Sequence, residues 1–202
     1  MPRVKSFDLT DTLKKVMKIF WKKGYHATSM DDIVQETNVN RASLYASYGD
    51  KHTLYCESLK LYGRDHSILD FQYNLETESA LSAIEKFMHS LLRSCSSAEG
   101  KNGCFMVNTM VELKSSDPKV KKILLDNQIQ SIKPLVTLLQ KGQEEGSIKK
   151  DKTATEYAEF IAHQILGIRV VSSFEANKAY VQNIIDITLR TLKTDTDPVS
   201  FF

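Results

Sequence analysis

The sequence predicts an all-α protein, and three observations support this fold class. Apolar residues recur at helical spacings of three and four along nearly the whole chain of 202 residues. No run of alternating apolar and polar residues is long enough to indicate a sheet. Residues that favour helix starts stand directly before the periodic segments, namely Ser29, Asn40, Asp50 and the pair Asp117-Pro118.

The first two predicted helices are separated by a short connection. Helix one ends at Gly24 and carries an apolar stripe made of Leu9, Leu13, Val16, Met17 and Phe20. Helix two begins after Ser29 and ends in a turn at residues 36–39. Such a turn needs a left-handed backbone, which Asn38 accepts at some steric cost.

The third and fourth helices follow without a long loop. Asn40 caps a short helix over residues 41–47, and Leu44 is its expected buried anchor. Asp50 caps a longer helix that runs from Lys51 to about His66.

Beyond residue 66 the same periodicity predicts further helices. Their expected ranges are about 79–95, 117–144, 153–174 and 178–193, and residues 104–113 form a very apolar segment between the first two of these helices. Pro134 is placed to kink the helix in which it lies, and Gly142 and Gly146 mark the end of that helix. We expect residues 96–103 to form a loop and residues 194–202 to form a mobile tail.

The composition argues against several functional classes. No stretch reaches the roughly 20 apolar residues needed to span a bilayer, and the N-terminus lacks a signal core. Three cysteines without metal-ligand spacing indicate free thiols in a reducing cytoplasm. The histidines are scattered and no catalytic constellation is visible, so the sequence predicts no enzyme, no metal and no cofactor.

Charge is distributed unevenly along the chain. Residues 1–52 hold nine Lys/Arg against six Asp/Glu, a net of +3, whereas the remainder holds eighteen against nineteen. A basic N-terminal segment favours a polyanionic partner. The alternative is that these lysines form the solvated face of the first helix.

Residues 24–55 carry the clearest functional signal. Two short helices around a tight turn, followed by the capped start of a third, have the form of a DNA-reading helix-turn-helix. With Leu44 buried, the side chains free to face the major groove are Arg41, Ala42, Ser43, Tyr45 and Ser47. Arginine can make a bidentate contact with guanine, alanine can touch a thymine methyl group, and serine can either donate or accept a hydrogen bond.

Other residues of this segment suit phosphate rather than bases. Tyr45, Ser47 and Tyr48 offer hydroxyl groups, and Lys51 stands at the N-terminus of a helix, where free amides attract an anion. The alternative interpretation is an ordinary tight helical hairpin.

These residues resemble the N-terminal domain of the TetR/AcrR family of transcriptional regulators. The matching positions are Gly24-Tyr25, Thr28-Ser29, Asp32-Ile33, Asn38-Val39, Ser43-Leu44-Tyr45, Tyr48, Lys51 and Leu54. Asn38 departs from the usual turn glycine, and Tyr48 from the commoner phenylalanine. The resemblance covers about a quarter of the chain.

The resemblance implies a two-domain organisation. Residues 1–50 would form a three-helix DNA-binding domain, and residues 51–202 a helical domain that binds an effector and dimerises. The DNA contacts that it implies are Thr28, Ser29, Arg41, Ser43, Tyr45, Ser47 and Lys51.

The last two helices are the expected dimer interface. Each is apolar on more than one face, and such helices pack against more than one neighbour. Gly167 would allow a close approach at the four-helix seam that the resemblance implies. A deeply buried monomer core is the alternative.

The segment 102–113 resembles one found beside the effector pocket in a subset of the family. Cys104 follows Gly103 near a helix start, where a thiol pKa can fall, so it is a candidate sensor of electrophiles; a small buried cysteine is the alternative. The remaining apolar or aromatic pocket candidates, each more often plain core, are Phe87, Met88, Met106, Met110 and His163. Asn108 and Glu112 are polar groups on one face of a mostly apolar helix, so they need partners, and a ligand is one possibility.

The sequence thus predicts a cytoplasmic homodimer that binds a palindromic double-stranded DNA operator and is released by a small-molecule or electrophilic effector. One alternative is a constitutive DNA-binding protein without an effector. Another is a helical interaction module or an enzyme that retains the N-terminal domain as a remnant.

Overall fold

The computed structural model describes residues 7–66, 78–95, 97, 99–113, 117–175 and 178–194. Within these residues the chain forms nine α-helices and no strand, which confirms the all-α class. The helices are α1 Leu9–Lys23, α2 Met30–Thr37, α3 Arg41–Tyr48, α4 Lys51–Asp65, α5 Ala80–Cys95, α6 Phe105–Leu113, α7 Pro118–Glu144, α8 Ala154–Glu175 and α9 Lys178–Leu192. None of them is both long and apolar enough to cross a membrane.

The predicted helix boundaries agree with the observed ones to within a few residues. The stretch predicted as a loop before α6 contains a short 3₁₀ turn at Gly100–Asn102. Helix α7 continues through Pro134, and Gly142 lies inside it, whereas Gly146 takes a positive φ of 81° in the exit turn. The predicted tail lies outside the described residues from 195 onward.

The chain divides into two compact units. Unit 1 comprises residues 1–67 and 104–127, and unit 2 comprises residues 68–103 and 128–202. Helices α1 to α4 and α6 therefore belong to unit 1, and α5, α8 and α9 to unit 2, while α7 contributes to both. The functional boundary at residue 50 stays a prediction.

The core of unit 1 is centred on aromatic rings. Tyr55 of α4 is fully buried, and its ring packs edge-on against Phe20 of α1 and Phe105 of α6. Ile33 of α2 and Leu44 of α3 join the same core cluster. Each fully buried side chain of this size removes enough apolar surface from water to contribute about 1.5–3 kcal/mol.

Unit 2 has its own core. Helices α5, α8 and α9 pack together around fully buried side chains such as Met88, Ile161 and Ile185. Leu135 and Leu139 of α7 are buried in the same cluster.

The turn between α2 and α3 depends on Asn38. Its φ of 56° and ψ of 24° are left-handed, and its amide donates to the carbonyl of Val34 to close α2. Among the described residues Asn38 is the one residue other than glycine at positive φ. Asparagine tolerates this conformation better than other side chains, but glycine adopts it without steric cost.

We therefore expect Asn38→Gly to raise the free energy of unfolding by up to about 1 kcal/mol. Asn38→Ala should lower it by about 1 kcal/mol, because alanine meets the full left-handed penalty. Urea denaturation followed by circular dichroism measures both changes. Glu36→Gly, at an exposed helical position two residues earlier, is the matched control and should destabilise. Stabilisation of equal size in the control would contradict this account of the turn.

Candidate nucleic-acid interface

Helix α2 is fixed at its start by a reciprocal capping box. The Ser29 hydroxyl accepts from the amide of Asp32 at 3.1 Å, and the Asp32 carboxylate accepts from the amide of Ser29 at 2.8 Å. Lys23, at the end of α1, donates to the same carboxylate at 2.7 Å. The hydrogen bond from Lys23 is the main reason why the pKa of Asp32 lies well below its usual range, followed by those from Ser29.

Helix α3 packs against the core on one face and is exposed to solvent on the other. The side chain of Asn40 accepts from the amide of Ser43 at 2.8 Å and caps the helix, as predicted. Leu44 is buried, whereas Arg41, Ala42 and Tyr45 are exposed. Half-buried positions on the same helix are Ser43 and Ser47. The short helix thus presents the side chains that sequence reasoning assigned to base and phosphate contacts.

Arg41 already has a partner on α2. Its guanidinium donates to the Asp31 carboxylate at 2.5 Å, and both side chains are exposed, by 49% and 84%. A solvated pair of this kind contributes about 0–1 kcal/mol. The pair therefore orients the guanidinium, but it is weak enough for Arg41 to exchange Asp31 for another acceptor.

Tyr48 is partly committed within the protein. Its hydroxyl donates to the Leu9 carbonyl at 2.6 Å and connects the end of α3 to the start of α1. Burial, followed by the nearby charge of Asp8, raises the pKa of Tyr48. The phosphate contact that the sequence suggested for this hydroxyl stays a prediction, and the hydroxyl proton is engaged by the Leu9 carbonyl.

The start of α4 combines free amides with a cation. Asp50 caps the helix by accepting from the amide of Thr53 at 2.7 Å. Lys51 stands in the first turn with its ammonium 4.5 Å from the centroid of the Tyr25 ring. A cation over an aromatic face is attracted by the ring quadrupole. Tyr25 therefore holds Lys51 near the end of α1.

Thr28 and Ser29 differ in accessibility. Thr28 is only 1% exposed, and its hydroxyl donates to the Gly24 carbonyl at 2.6 Å, so it holds the connection between α1 and α2. Ser29 is exposed, although its hydroxyl takes part in the capping box. Their contacts with DNA stay predictions.

The predicted effector-pocket residues are distributed over both units, and their role stays a prediction. Phe87, Met88 and His163 belong to unit 2, and the other five belong to unit 1. Met88, Cys104 and Met106 are buried, Phe87 and Glu112 are half-buried, and Asn108, Met110 and His163 are exposed.

Among the pocket candidates, Cys104 lies in the interior and His163 lies in an open cleft. Cys104 is buried directly before α6, and its carbonyl accepts the first hydrogen bond of that helix, from Asn108. His163 lines an open cleft of about 500 Å³ on α8, together with Asp151, Tyr157 and Phe160 among others. In this cleft Tyr157 donates to Asp151 at 2.6 Å, and burial, the main cause, raises its pKa to about 12.

Glu112 has a partner that periodicity alone did not identify. The sequence indicated only that a polar group on an apolar helix needs one, and a ligand was a possibility. Both of its carboxylate oxygens instead accept backbone amides, from Tyr25 at 2.8 Å and from His26 at 2.7 Å.

A second contact that sequence reasoning missed joins His52 to Asp117. The imidazole of His52, in the first turn of α4, pairs with the Asp117 carboxylate, which also caps α7 through the amides of Lys119 and Val120. The hydrogen bond from Val120 is the main cause that lowers the pKa of Asp117, and His52 adds to it. Within the described part of the chain, no group of three or more His, Cys, Asp and Glu side chains is arranged to hold a metal ion.

Comparison with protein families matches both parts of the chain. Residues 13–57 match the sequence model of bacterial regulatory proteins of the tetR family. Residues 80–188, more than half of the chain, match that of the tetracyclin repressor-like C-terminal domain.

Individual relatives match over nearly the whole length. The chain is 29% identical over 189 residues to the HTH-type transcriptional repressor ComR of Escherichia coli (strain K12), covering 93% of this chain and 90% of ComR. It is 22% identical to the HTH-type transcriptional repressor DhaR of a Mycobacterium species (strain GP1), covering 93% of each.

Solved structures share the fold. A cysteine mutant of the TetR family transcriptional regulator CifR, complexed with double-strand operator DNA, superposes with a TM-score of 0.81 at 22% identity, covering 94% of this chain and 99% of that one. The reduced form of E. coli NemR superposes with a TM-score of 0.80 at 14% identity, covering 93% of this chain and 100% of that one.

The acidic helix caps of unit 1 predict a loss of stability in acid. The folded-state pKa values of Asp32, Asp50 and Asp117 lie below their ordinary value of 3.8. Their stabilising contribution is therefore fully present above pH 3.8 and is lost as the pH falls through the lower folded values.

Urea denaturation between about pH 5 and about pH 2.5 measures this loss. Asp50→Asn keeps an acceptor for the Thr53 amide but does not titrate, so its stability should fall less over this range than that of the wild type. Asp50→Ala, the matched variant, should be less stable than Asp50→Asn at every pH. Equal acid slopes in the wild type and Asp50→Asn would refute the role of the Asp50 charge.

Proposed function

The chain belongs to the tetR family of bacterial regulatory proteins, and we propose that it is a dimeric, effector-responsive repressor that binds a palindromic operator. Family membership makes it a DNA-binding regulator of transcription. The operator, the dimer, the effector and a cytoplasmic location are our proposals for this chain.

The observation that carries the proposal is the open face of α3. Its base is anchored by Leu44, and its outer surface presents Arg41, Ala42 and Tyr45. Side chains of these types suit base edges in the major groove, whereas Ser29, Ser47 and Lys51 suit the flanking phosphates. Thr28 and Tyr48 support this surface through their internal hydrogen bonds.

An exposed apolar surface supports the dimer. Large apolar side chains point outward from α8 and α9, namely Phe160, Leu166, Val170, Val171, Phe174, Tyr180 and Ile187. Gly167 lies on the same part of α8, and a Cβ there would meet no atom within 4 Å. Several large apolar side chains exposed on two helices favour a protein partner, and a second copy would pair its α8 and α9 with these helices.

Dimerisation also follows from the size of the reading element. One eight-residue helix contacts few base pairs, and a two-fold pair of such helices reads two half-sites of a palindrome. An effector that binds better to a conformation with wrongly spaced α3 helices must weaken operator binding by linkage. We propose a small molecule or an electrophile as this effector; Cys104 and its buried neighbour Met106 are candidates to respond to it.

DNA binding tests the proposal directly. The wild type should bind a fragment from its own promoter region more tightly than random duplex DNA, and the affinity should fall between about 50 and 200 mM salt. Arg41→Ala should reduce the preference for the specific fragment by about 1–3 kcal/mol, whereas Lys51→Ala should weaken binding to all sequences and lower the salt slope by about one.

Titrations of labelled duplexes measure these affinities. Lys60→Ala is the matched control for Lys51→Ala, because Lys60 lies on the same helix and pairs with Glu57 at 2.8 Å. A wild type that binds its promoter fragments no more tightly than random DNA would exclude the repressor.

Introduction of a charge into the proposed dimer interface on α8 tests whether the protein dimerises there. Val170→Glu should convert the protein to a monomer and weaken operator binding at least about tenfold, because the carboxylate would be desolvated at the interface. Sedimentation velocity measures the mass. Val111→Glu, at an exposed valine on α6, is the control and should remain dimeric. A dimeric Val170→Glu protein would move the interface elsewhere.

A further inference from the structure

The carboxylate of Glu112 is hydrogen-bonded to the backbone that directly follows α1. It lies in the last turn of α6, and its two carboxylate oxygens accept the amides of consecutive residues, Tyr25 at 2.8 Å and His26 at 2.7 Å. These are charge-assisted hydrogen bonds, which are about twice as strong as neutral ones. The contact spans 87 positions of sequence but lies wholly within unit 1.

The backbone at Gly24 is shaped to admit the carboxylate. Gly24 ends α1 at a φ of 84°, a conformation that favours glycine. A Cβ at Gly24 would lie 2.8 Å from one Glu112 oxygen and 3.0 Å from the other. Only a residue without a side chain therefore lets the carboxylate approach both amides.

The position of Glu112 is set by the rest of α6. The Phe105 ring at the start of the helix packs on Tyr55 and Tyr62 with centroids 5.5 and 5.6 Å apart. Thr109, one turn later, accepts from the Tyr55 hydroxyl at 2.8 Å and donates to the Phe105 carbonyl. Residues 105, 109 and 112 share one helical stripe, so a movement of α6 moves the carboxylate with it.

Tyr25 and His26, whose amides bind Glu112, belong to the short connection that leads into α2. The Gly24 carbonyl accepts from Thr28, Ser29 caps α2, and Lys23 pairs with Asp32. These contacts leave the connection between α1 and α2 little freedom. A displacement of Tyr25 and His26 therefore shifts the start of α2, to which α3 is joined by a tight turn.

We propose that Glu112 is a positioning residue for DNA reading, which couples the location of α6 to that of α2 and α3. This inference rests on the proposed DNA-binding function. A slide of α6 by one residue, about 1.5 Å along its axis, is about half the length of these hydrogen bonds, so it would strain or break them. The intact contact holds α2 and α3 in place.

The test compares specific with non-specific DNA binding. The specific duplex is the one that the wild-type protein enriches from a random-sequence library, and the non-specific duplex is a scrambled version of it. Glu112→Gln removes an acceptor from one of the two amides. We expect the ratio of its specific to its non-specific affinity to fall about tenfold, because coupling between sites changes affinity by about 5- to 150-fold.

The matched control is Glu57→Gln. Glu57 lies in the same unit and pairs with the exposed Lys60, so this variant makes the same change of charge without touching the α1–α2 connection. Removal of a negative charge alone raises DNA affinity, so the expected loss in Glu112→Gln is opposite in sign to the charge effect. Hydrogen exchange of the Tyr25 and His26 amides verifies that the contact has broken.

The outcomes separate the two proposals. If the wild type enriches no duplex, the proposed function fails. If the wild type enriches one and Glu112→Gln exchanges these amides faster but keeps the specific-to-non-specific ratio of Glu57→Gln, the role of Glu112 is overturned.

A second variant covers the case in which Glu112→Gln does not fold. Glu112→Asp keeps the charge but shortens the side chain by one methylene group, so it should also lose specific affinity while non-specific binding stays unchanged. A wild-type ratio in Glu112→Asp with rapidly exchanging Tyr25 and His26 amides would likewise overturn the role.

Discussion

The buried hydroxyl and ring of Tyr55 join three helices of unit 1. The ring packs edge-on against Phe20, Tyr25 and Phe105 with centroid separations of 4.9, 4.9 and 5.5 Å. Its hydroxyl donates to Thr109, which satisfies a polar group that would otherwise destabilise the core. One side chain thus packs α4 against both α1 and α6. These three helices share a core cluster with α2 and α3 and support them.

The two proposed interfaces differ in chemistry because they need different lifetimes. The surface of α3 and the start of α4 is polar, and a polar contact with phosphate weakens with salt and can be released. The exposed face of α8 and α9 is apolar, with Phe174 at 96% exposure and Ile187 at 55%. Burial of such surface releases no counterions and is not weakened by added salt, so it suits a pairing that persists while DNA binds and dissociates.

Local features of the site were predictable, whereas distant partners were not. Ser29, Asn40, Asn38 and Asp50 were identified because caps and turns depend on residues within a few positions. The family resemblance placed Glu112 on a helix, but the sequence carries no information on which backbone lies opposite, 87 positions away. The same limit applies to His52 and Asp117, 65 positions apart, and to the hydrogen bond from Tyr48 to Leu9, 39 positions apart.

The pairing of Arg41 with Asp31 bears on how a short helix can discriminate between sequences. A free arginine loses up to about 2 kcal/mol of side-chain entropy when it is ordered on a base. Here Asp31 already restrains the guanidinium above α3, while solvent keeps the pair weak enough to exchange. Guanine offers two acceptors in place of one carboxylate oxygen, whereas other bases do not match the guanidinium in this way. If Arg41 contacts a base as proposed, we expect a wrong sequence to leave Arg41 paired with Asp31, so that discrimination arises from this competition as well as from the base contact itself.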